Sequence, residues 1–349
     1  MWQEMDYREL RGRGDVVWID VRSTAEHRES TIPGAVHVPI FDDEERARIG
    51  VAYKEDPGGA MDLGLAIASQ KFPDLVGRIK QAAGDRLPVV FCWRGGMRSR
   101  SVATIVDLVG RPCGRLIGGY RAYRQYVTGR LAAFRAEDLP PAVVLHGMTG
   151  VGKTMLLARL MDGGAPGLDL EGLARHRGSV FGGIGLDPAN QRQFDSALLD
   201  ELDRLTGAPF VIMEAESKRI GRATMPDFLF EAKLRGVNIE LTAPLPVRVE
   251  RTLEQYSLDD EDEFHAAMAH AVGRIERRFS PDLRKRATGW LAERDFVSLI
   301  GALLEEYYDP RYRHAMGAYA RSFVEVDAQD LDAAAGAVLE LCGRAGIVR

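Results

Sequence analysis

Cysteine is scarce in this chain: only three occur among 349 residues, at Cys92, Cys113 and Cys342. They lie far apart, and no pair shows the short spacing of a disulfide-rich scaffold or of a zinc site. A chain without a disulfide framework fits a reducing compartment. We therefore expect a cytoplasmic protein without a structural metal ion.

Long apolar runs are also absent, so no stretch is suited to crossing a bilayer. The first residues lack the basic and then apolar pattern of a signal peptide, and we expect no association with membranes. The net charge is −5, which excludes a protein that coats nucleic acid through an overall basic surface. A local basic patch remains compatible with that charge. The length of 349 residues favours two domains.

The stretch around Cys92 carries a clear chemical signal. Residues 87–90 are apolar and read as a buried strand, and the residues from Ser101 onward are apolar at helical spacing. The glycines between them let the backbone N–H groups turn inward, and arginines add positive charge. This pattern predicts a nucleophilic thiolate in an anion-binding loop; a buried cysteine that acts as a small hydrophobe is the alternative. The residues assigned to anion binding are Trp93, Arg94, Gly95, Gly96, Met97, Arg98 and Ser99.

Short apolar segments alternate with helical segments on both sides of this loop. Residues 16–22 and 36–38 read as strands, residues 54–64 as a loop rich in Gly and Asp, and residues 74–83 as a helix. Strands that alternate with helices predict a parallel α/β sheet. The paired prolines at 140–141 interrupt this pattern. We therefore predict a first domain over residues 1–136 and a second over residues 142–349.

The second domain begins with a phosphate-binding motif. Residues 142–146 form an apolar strand, residues 147–154 read G-x-x-x-x-G-K-T, and a helical segment follows. Backbone N–H groups and the helix N-terminus can hold a di- or triphosphate, while Lys153 reaches a terminal phosphate and Thr154 contacts Mg²⁺. The motif does not define which phosphate compound binds. The predicted phosphate-binding residues are Gly147, Met148, Thr149, Gly150, Val151, Gly152, Lys153 and Thr154.

Acidic residues follow the apolar strand at residues 209–213. Either Glu214 or Glu216 could act as the acidic partner near a Mg²⁺ ion. A salt bridge from one of these residues to Lys218 or Arg219 is an equally good interpretation.

Clustered arginines in the last third of the chain are candidates for contact with a nucleic acid. Residues 274–286 contain six basic and two acidic residues, which suits phosphate contacts but also a solvated helix face. Residues 307–313 interleave aromatics with arginines, which suits base stacking but also plain packing. The candidate nucleic-acid-binding residues are Arg277, Arg278, Arg284, Arg286, Arg311 and Arg313.

Together, Asp20-Val21-Arg22, Glu26, Ile32-Pro33-Gly34-Ala35 and the Cys92 loop resemble a rhodanese domain. The resemblance implies a parallel α/β domain whose loop cysteine carries a persulfide. Five residues separate Cys92 from Arg98, one more than in common sulfurtransferases. That spacing is shared with rhodanese-like phosphatases and arsenate reductases. The phosphatases usually have His before the cysteine, whereas this chain has Phe91.

The pairing of a rhodanese-like domain with a P-loop, kinase-like α/β domain is unusual. Over nearly its full length the chain resembles the bacterial tRNA 2-selenouridine synthases. The resemblance is carried by three motif segments, at residues 91–101, 118–121 and 147–154. It continues through segments at 169–179, 214–221 and 307–312, with Lys218 where Arg is expected.

This resemblance implies a transferase that acts in two steps on the wobble 2-thiouridine of tRNA. The sulfur is first alkylated by geranyl diphosphate, and selenophosphate then supplies selenium while the geranylated sulfur leaves. It implies Cys92 as the catalytic residue, no tightly bound cofactor, Mg²⁺ as a candidate ion, and a selenophosphate-producing enzyme as a candidate partner. Two other functions stay open: a rhodanese-like phosphatase or arsenate reductase, and a small-molecule kinase with a regulatory rhodanese module.

Overall fold

A computed structural model describes residues 1–316 and 323–344. The chain divides into two compact units, Met1–Ala133 with Asp195–Ala197, and Phe134–Phe194 with Leu198–Arg349. The first strand of the second unit begins at Ala142, directly after the paired prolines.

The first unit contains a five-stranded parallel sheet. Its strands are β1 (Gln3–Met5), β2 (Val16–Asp20), β3 (Val36–His37), β4 (Leu87–Phe91) and β5 (Gly114–Leu116). Its helices are α1 (Tyr7–Leu10), α2 (Thr24–Glu29), α3 (Asp43–Glu55), α4 (Pro57–Ala83), α5 (Met97–Leu108) and α6 (Gly119–Ala133). The strand order is β1-β5-β4-β2-β3, so β4 is an inner strand, and the side chains of residues 88–91 are buried. The Cys92 loop follows this strand at the carboxyl edge of the sheet.

The loop predicted for residues 54–64 is wrong, because α4 already begins at Pro57 and continues to Ala83. Asp56 caps this helix by accepting a hydrogen bond from Gly58 N at 3.0 Å, and proline is well suited to the first helical position. Gly58 and Gly59 therefore lie in a first helical turn that is stabilised by its cap. The prediction of a loop was based on the content of Gly and Asp, and it did not consider the capping role of Asp56.

The second unit contains another five-stranded parallel sheet, with strand order β12-β11-β6-β8-β7. Its strands are β6 (Ala142–His146), β7 (Gly167–Leu168), β8 (Val211–Glu214), β11 (Val237–Thr242) and β12 (Phe323–Asp327), and β9 (Arg219–Ile220) pairs separately with β10 (Ala223–Thr224). The helices up to the last strand of this sheet are α7 (Lys153–Asp162), α8 (Leu170–Ala174), α9 (Gln191–Arg204), α10 (Asp227–Arg235), α11 (Leu245–Tyr256), α12 (Glu261–Ile275), α13 (Pro281–Glu293), α14 (Phe296–Ala302) and α15 (Asp309–Met316). The last helix is α16 (Leu331–Arg344), and short 3₁₀ turns cover Ala136–Asp138 and Glu276–Arg278.

Strand β6 lies between β8 and β11 in the middle of this sheet, and all five of its residues are buried. The phosphate motif therefore begins at the carboxyl end of a central strand, where parallel α/β sheets bind their ligands. A π-helical turn, Leu303–Tyr308, joins α14 to α15. Residues of α11, α12, α13, α14 and this turn form a separate hydrophobic cluster beside the sheet.

The two parallel sheets confirm the predicted fold class, an α/β domain around the Cys92 loop followed by an α/β domain around the P-loop. In the part of the chain that is described, no helix combines the length and the apolar character that a membrane span requires.

Candidate functional site

The Cys92 sulfur lies directly after β4 and contacts polar groups of its own loop. Gly96 N donates to Cys92 Sγ at 3.2 Å, and Ser99 Oγ lies 3.2 Å from the same sulfur. The thiol is 3% exposed and also touches core residues of the first sheet. It therefore has apolar neighbours, as the alternative interpretation requires, and hydrogen-bond donors that stabilise a negative charge on sulfur.

The backbone of the loop packs against the first turn of α6. Gly95 has φ +67°, and Tyr120 N donates to Cys92 O at 2.8 Å. A Cβ placed on Gly119 would lie 2.2 Å from Cys92 O, which leaves no room for a side chain. The resemblance segment at residues 118–121 thus has a physical explanation, since it supports the cysteine loop.

The two arginines of the loop differ in their surroundings. Arg98 forms an ion pair with Glu26, and its Nη2 lies 3.1 Å from Oε1. Burial opposes ionisation of Glu26, but the hydrogen bonds from Arg98 keep the pKa of this carboxyl below its ordinary value. Arg94 is exposed, as is Met97. Part of the positive charge predicted for the loop is therefore neutralised by Glu26, which leaves Arg94 and the backbone N–H groups as candidate donors to an anion.

The phosphate motif forms a loop between β6 and α7. Gly152 has φ +98°, a conformation that favours glycine, and α7 begins at the next residue. Lys153 Nζ donates to Gly147 O at 2.8 Å, so the amine lies across the loop. Six of the eight predicted residues line the adjoining cavity, and Met148 and Val151 do not.

Thr154 lies between two carboxylates. Its hydroxyl is 2.9 Å from Glu171 Oε2 and 2.5 Å from Glu214 Oε1. Burial, together with neighbouring carboxylates that include Glu216, raises the pKa of both Glu171 and Glu214. Lys218 pairs with Asp227 instead of with either of the predicted acidic residues.

Glu214 has a buried oxygen, Oε2, without a hydrogen-bond partner in the structure. An orphaned carboxylate oxygen beside the threonine of a phosphate loop fits a divalent cation, because Mg²⁺ takes one or two carboxylates and completes its shell with water and phosphate oxygens. Among the described residues, no group of three or more His, Cys, Asp or Glu side chains is arranged as a metal site of its own. The residues present therefore fit a Mg²⁺ ion that arrives with a phosphate ligand.

A cavity of about 270 Å³ opens over the phosphate loop. Sequence reasoning placed none of the following lining residues at this cavity, and they come from three separate segments of the chain: Glu171, Arg177, Ser179, Arg251, Thr252, Gln255, Tyr256, Tyr308 and Tyr312. Tyr312 Oη accepts a hydrogen bond from Gly147 N at 2.6 Å, so α15 reaches the first residue of the motif. The resemblance segments at 169–179 and 307–312 could have identified two of these three segments, whereas the residues of α11 lie outside every resemblance segment.

The candidate tRNA-binding arginines have different surroundings. Arg277, Arg278 and Arg313 are exposed, whereas Arg286 is held by Asp282 and Glu306 at 2.8 Å. Arg284 donates to a backbone carbonyl at Glu276.

The predicted stacking of aromatic residues on bases does not hold for Tyr307. This side chain is 3% exposed, and Arg311 covers its ring with Cζ 3.6 Å from the centroid. Residues 307 and 311 therefore pack on each other, as the alternative interpretation proposed.

A second cavity, of about 570 Å³, has basic walls that the sequence analysis did not identify as a site. Its charged or titratable lining residues are His176, Arg219, Arg222, Glu263, His270 and Arg274. His176 Nδ1 is buried without a hydrogen-bond partner.

Comparison with known proteins identifies both units. Residues 5–126 match the rhodanese-like domain, and residues 140–335 match the tRNA 2-selenouridine synthase AAA domain. Among solved structures, the N-terminal domain of a Clostridium difficile 630 protein aligns at 30% identity over 36% of this chain and 98% of its own, with a TM-score of 0.35.

Relatives named tRNA 2-selenouridine synthase are similar to almost the whole chain. The protein of Sulfurovum sp. is 32% identical over 90% of this chain and 93% of its own length. That of Bordetella bronchiseptica is 30% identical over 91% and 94%, and that of Salmonella schwarzengrund is 31% identical over 91% and 94%. The chain belongs to the tRNA 2-selenouridine synthase family.

Proposed function

We propose that this protein converts the wobble 2-thiouridine of tRNA into 2-selenouridine in two steps. Geranyl diphosphate first alkylates the sulfur, and selenium from selenophosphate then replaces the geranylated sulfur. One observation supports the proposal: the chain has two separate loops with groups suited to anions, one in which Gly96 N donates to a thiol and one that contains the lysine and threonine of a phosphate motif. Two donors, each with a phosphate group, would give each loop a ligand.

The Gly147–Thr154 loop is assigned to the first step. The thiouridine sulfur attacks the first carbon of the geranyl chain, the carbon–oxygen bond breaks, and diphosphate leaves. Charge builds up on the departing diphosphate, where Lys153 and the N-terminus of α7 stabilise it. When Mg²⁺ is bound, Thr154 and Glu214 would hold it, and it would neutralise further charge on the diphosphate.

The Cys92 loop is assigned to the second step. Alkylation turns the sulfur into a thioether, which is a better leaving group than a thione. The loop N–H groups hold the phosphate of selenophosphate while its selenium attacks carbon 2 of the base. The carbon–sulfur bond breaks and geranylthiol leaves, and water then cleaves the selenium–phosphorus bond, which releases phosphate and leaves 2-selenouridine. Cys92 is assigned to selenium transfer because its sulfur lies within this set of donors. A selenophosphate-producing enzyme would supply the second donor.

The tRNA substrate is assigned to exposed arginines of the second unit. The overall charge is −5, so attraction to RNA must come from local clusters. Arg277 and Arg278 are exposed on a 3₁₀ turn. Arg274, which lies about one helical turn before Arg277 in the sequence, lines the basic cavity.

The proposal is tested by mass spectrometry of tRNA nucleosides after incubation with both donors. Cys92→Ser is expected to abolish selenium incorporation and to leave geranylation intact, because the thiol and the diphosphate loop belong to different units. Cys113→Ser is the control, since burial raises the pKa of the Cys113 thiol to about 12 and leaves it unreactive. Equal loss of both steps in folded Cys92→Ser protein would refute this division of roles.

The same preparation tests the other two functions. Hydrolysis of an aryl phosphate that depends on Cys92 would support the phosphatase. ATP consumption without tRNA, together with no transfer of a geranyl group, would support the kinase.

A further inference from the structure

A narrow apolar pocket adjoins the cavity over the phosphate loop. The two spaces share five lining residues: Thr149, Ser179, Thr252, Tyr256 and Tyr308. Beyond this junction the wall consists of Phe181, Met268, Ile300, Leu303 and Leu304. A ligand whose phosphates lie in the loop can therefore extend across the junction into an apolar environment.

The hydroxyl groups of Ser179, Thr252 and Tyr256 at the junction have hydrogen-bond partners within the protein, and the Tyr308 hydroxyl is buried without one among the described residues. Ser179 Oγ and Tyr256 Oη lie 3.0 Å apart, and Thr252 Oγ1 donates to Arg248 O at 2.7 Å. None of the described lining residues exposes a polar atom to the apolar pocket. A sugar or a nucleotide base would find only one new partner on these walls, the buried Tyr308 hydroxyl, and would lose its other hydrogen bonds to water, whereas a hydrocarbon chain would lose none.

The wall of this pocket includes an unusual piece of backbone. Leu303, Leu304 and Tyr308 belong to the π-helical turn between α14 and α15. Such turns are rare within helices and frequently occur at functional sites. The turn therefore adds a second observation, independent of the cavity, that points to a ligand at this place.

We propose that this pocket holds the hydrocarbon tail of a prenyl diphosphate whose phosphate groups lie in the Gly147–Thr154 loop. The inference rests on the proposed function for the length of the tail, which is ten carbons. The free volume is about 20 Å³, close to the space for a single water molecule. A ten-carbon tail therefore requires the unbranched Met268 and the leucines of the turn to change rotamer when the ligand binds. The pocket thus selects a donor with an apolar tail over ATP and inorganic diphosphate.

The test is a binding titration of the full chain with inorganic diphosphate, dimethylallyl diphosphate, geranyl diphosphate and farnesyl diphosphate. The wild-type protein is expected to bind geranyl diphosphate at least about tenfold more tightly than inorganic diphosphate, because apolar carbon leaves water. Leu303→Ala enlarges the pocket and is expected to move the preference toward the farnesyl chain by about threefold or more. Its affinity for inorganic diphosphate should stay within about twofold of wild type, since the phosphate loop is untouched.

Leu299→Ala is the matched control. Leu299 is equally buried, belongs to the same hydrophobic cluster and does not line the pocket. It should leave the order of preference among the four ligands unchanged. If Leu303→Ala fails to bind inorganic diphosphate, Leu304→Ala repeats the test at the next wall position.

Two outcomes overturn the proposal. One is a wild-type protein that binds geranyl diphosphate no more tightly than inorganic diphosphate. The other is a Leu303→Ala or Leu304→Ala protein that keeps diphosphate binding and shows the wild-type preference for chain length. A wild-type protein that discriminates tails as expected but transfers no geranyl group to tRNA contradicts the proposed function and leaves the pocket assignment standing.

Discussion

The buried ion pair between Arg248 and Asp309 is expected to hold the phosphate loop in place. Arg248 is 4% exposed and Asp309 is 5% exposed. Two nitrogens of the guanidinium donate to the two carboxylate oxygens at 2.9 and 2.6 Å. The third nitrogen donates to Thr149 O at 2.9 Å, which ties the pair to the backbone of the loop.

Asp309→Ala leaves the guanidinium buried without a counter-charge. Breaking a buried pair in this way costs about 3–5 kcal/mol of unfolding free energy. For a domain of roughly 150–250 residues, each kcal/mol lowers Tm by about 2–4 °C. We therefore expect the unfolding midpoint of the P-loop unit to fall by roughly 6–20 °C, and diphosphate affinity to fall as Arg248 moves away from Thr149.

Thermal unfolding followed by circular dichroism measures the first effect, and diphosphate titration measures the second. Glu137→Ala is the control, because its pair with Arg235 is exposed and its loss should leave the midpoint unchanged. The double variant Arg248→Met with Asp309→Leu should recover most of the stability, since two apolar side chains replace the pair. A midpoint for Asp309→Ala within about 2 °C of wild type would refute the reasoning.

Three further predictions concern the ligands. Lys153→Ala should block geranylation by removing the charge that stabilises the leaving diphosphate, and geranylation at the wild-type rate in the nucleoside assay would contradict it. Because burial and neighbouring carboxylates raise the pKa values of Glu171 and Glu214, protons must leave before Mg²⁺ binds. Mg²⁺ affinity measured by calorimetry should therefore rise with pH. The stability of the metal-free protein should fall as pH rises through these raised pKa values, because the folded state then loses its bound protons. A Mg²⁺ affinity independent of pH would exclude this coupling. Replacing Arg277 and Arg278 with Ala should weaken binding of every cognate tRNA and lower the slope of log affinity against log salt concentration by about two units. Arg286→Ala should change this slope little, because the charge of Arg286 is already paired. An unchanged slope in the double variant would place the tRNA elsewhere.

The two loops could be predicted from sequence because each is a local arrangement. In both cases a buried strand, a glycine turn and a helix follow one another within about fifteen residues, so chain order fixes their geometry. The conformation of Gly152 at φ +98° agrees with the requirement that the motif implies.

The walls of the site could not be predicted in the same way. Glu171 reaches Thr154 from α8, and Tyr312 reaches Gly147 from α15, so both contacts depend on tertiary packing. The apolar pocket combines residues of α11, α12, α14 and the π-helical turn. The pairing of Arg98 with Glu26 likewise crosses 72 positions of sequence. The amino-acid composition around each of these residues does not indicate which distant residue it contacts.

The π-helical turn makes the position of Tyr312 at the phosphate loop depend on the number of residues in the helix. Residues 296–316 are helical without interruption, and the turn holds one residue more than an α-helix would need. Deleting one of the two exposed glutamates in the turn, Glu305 or Glu306, would restore a regular helix and turn everything after it by about 100°. Tyr312 would then point away from Gly147, although no residue in contact with the phosphate loop had been replaced. The spacing between Leu303 and Tyr312 is thus as much a part of the site as the side chains themselves.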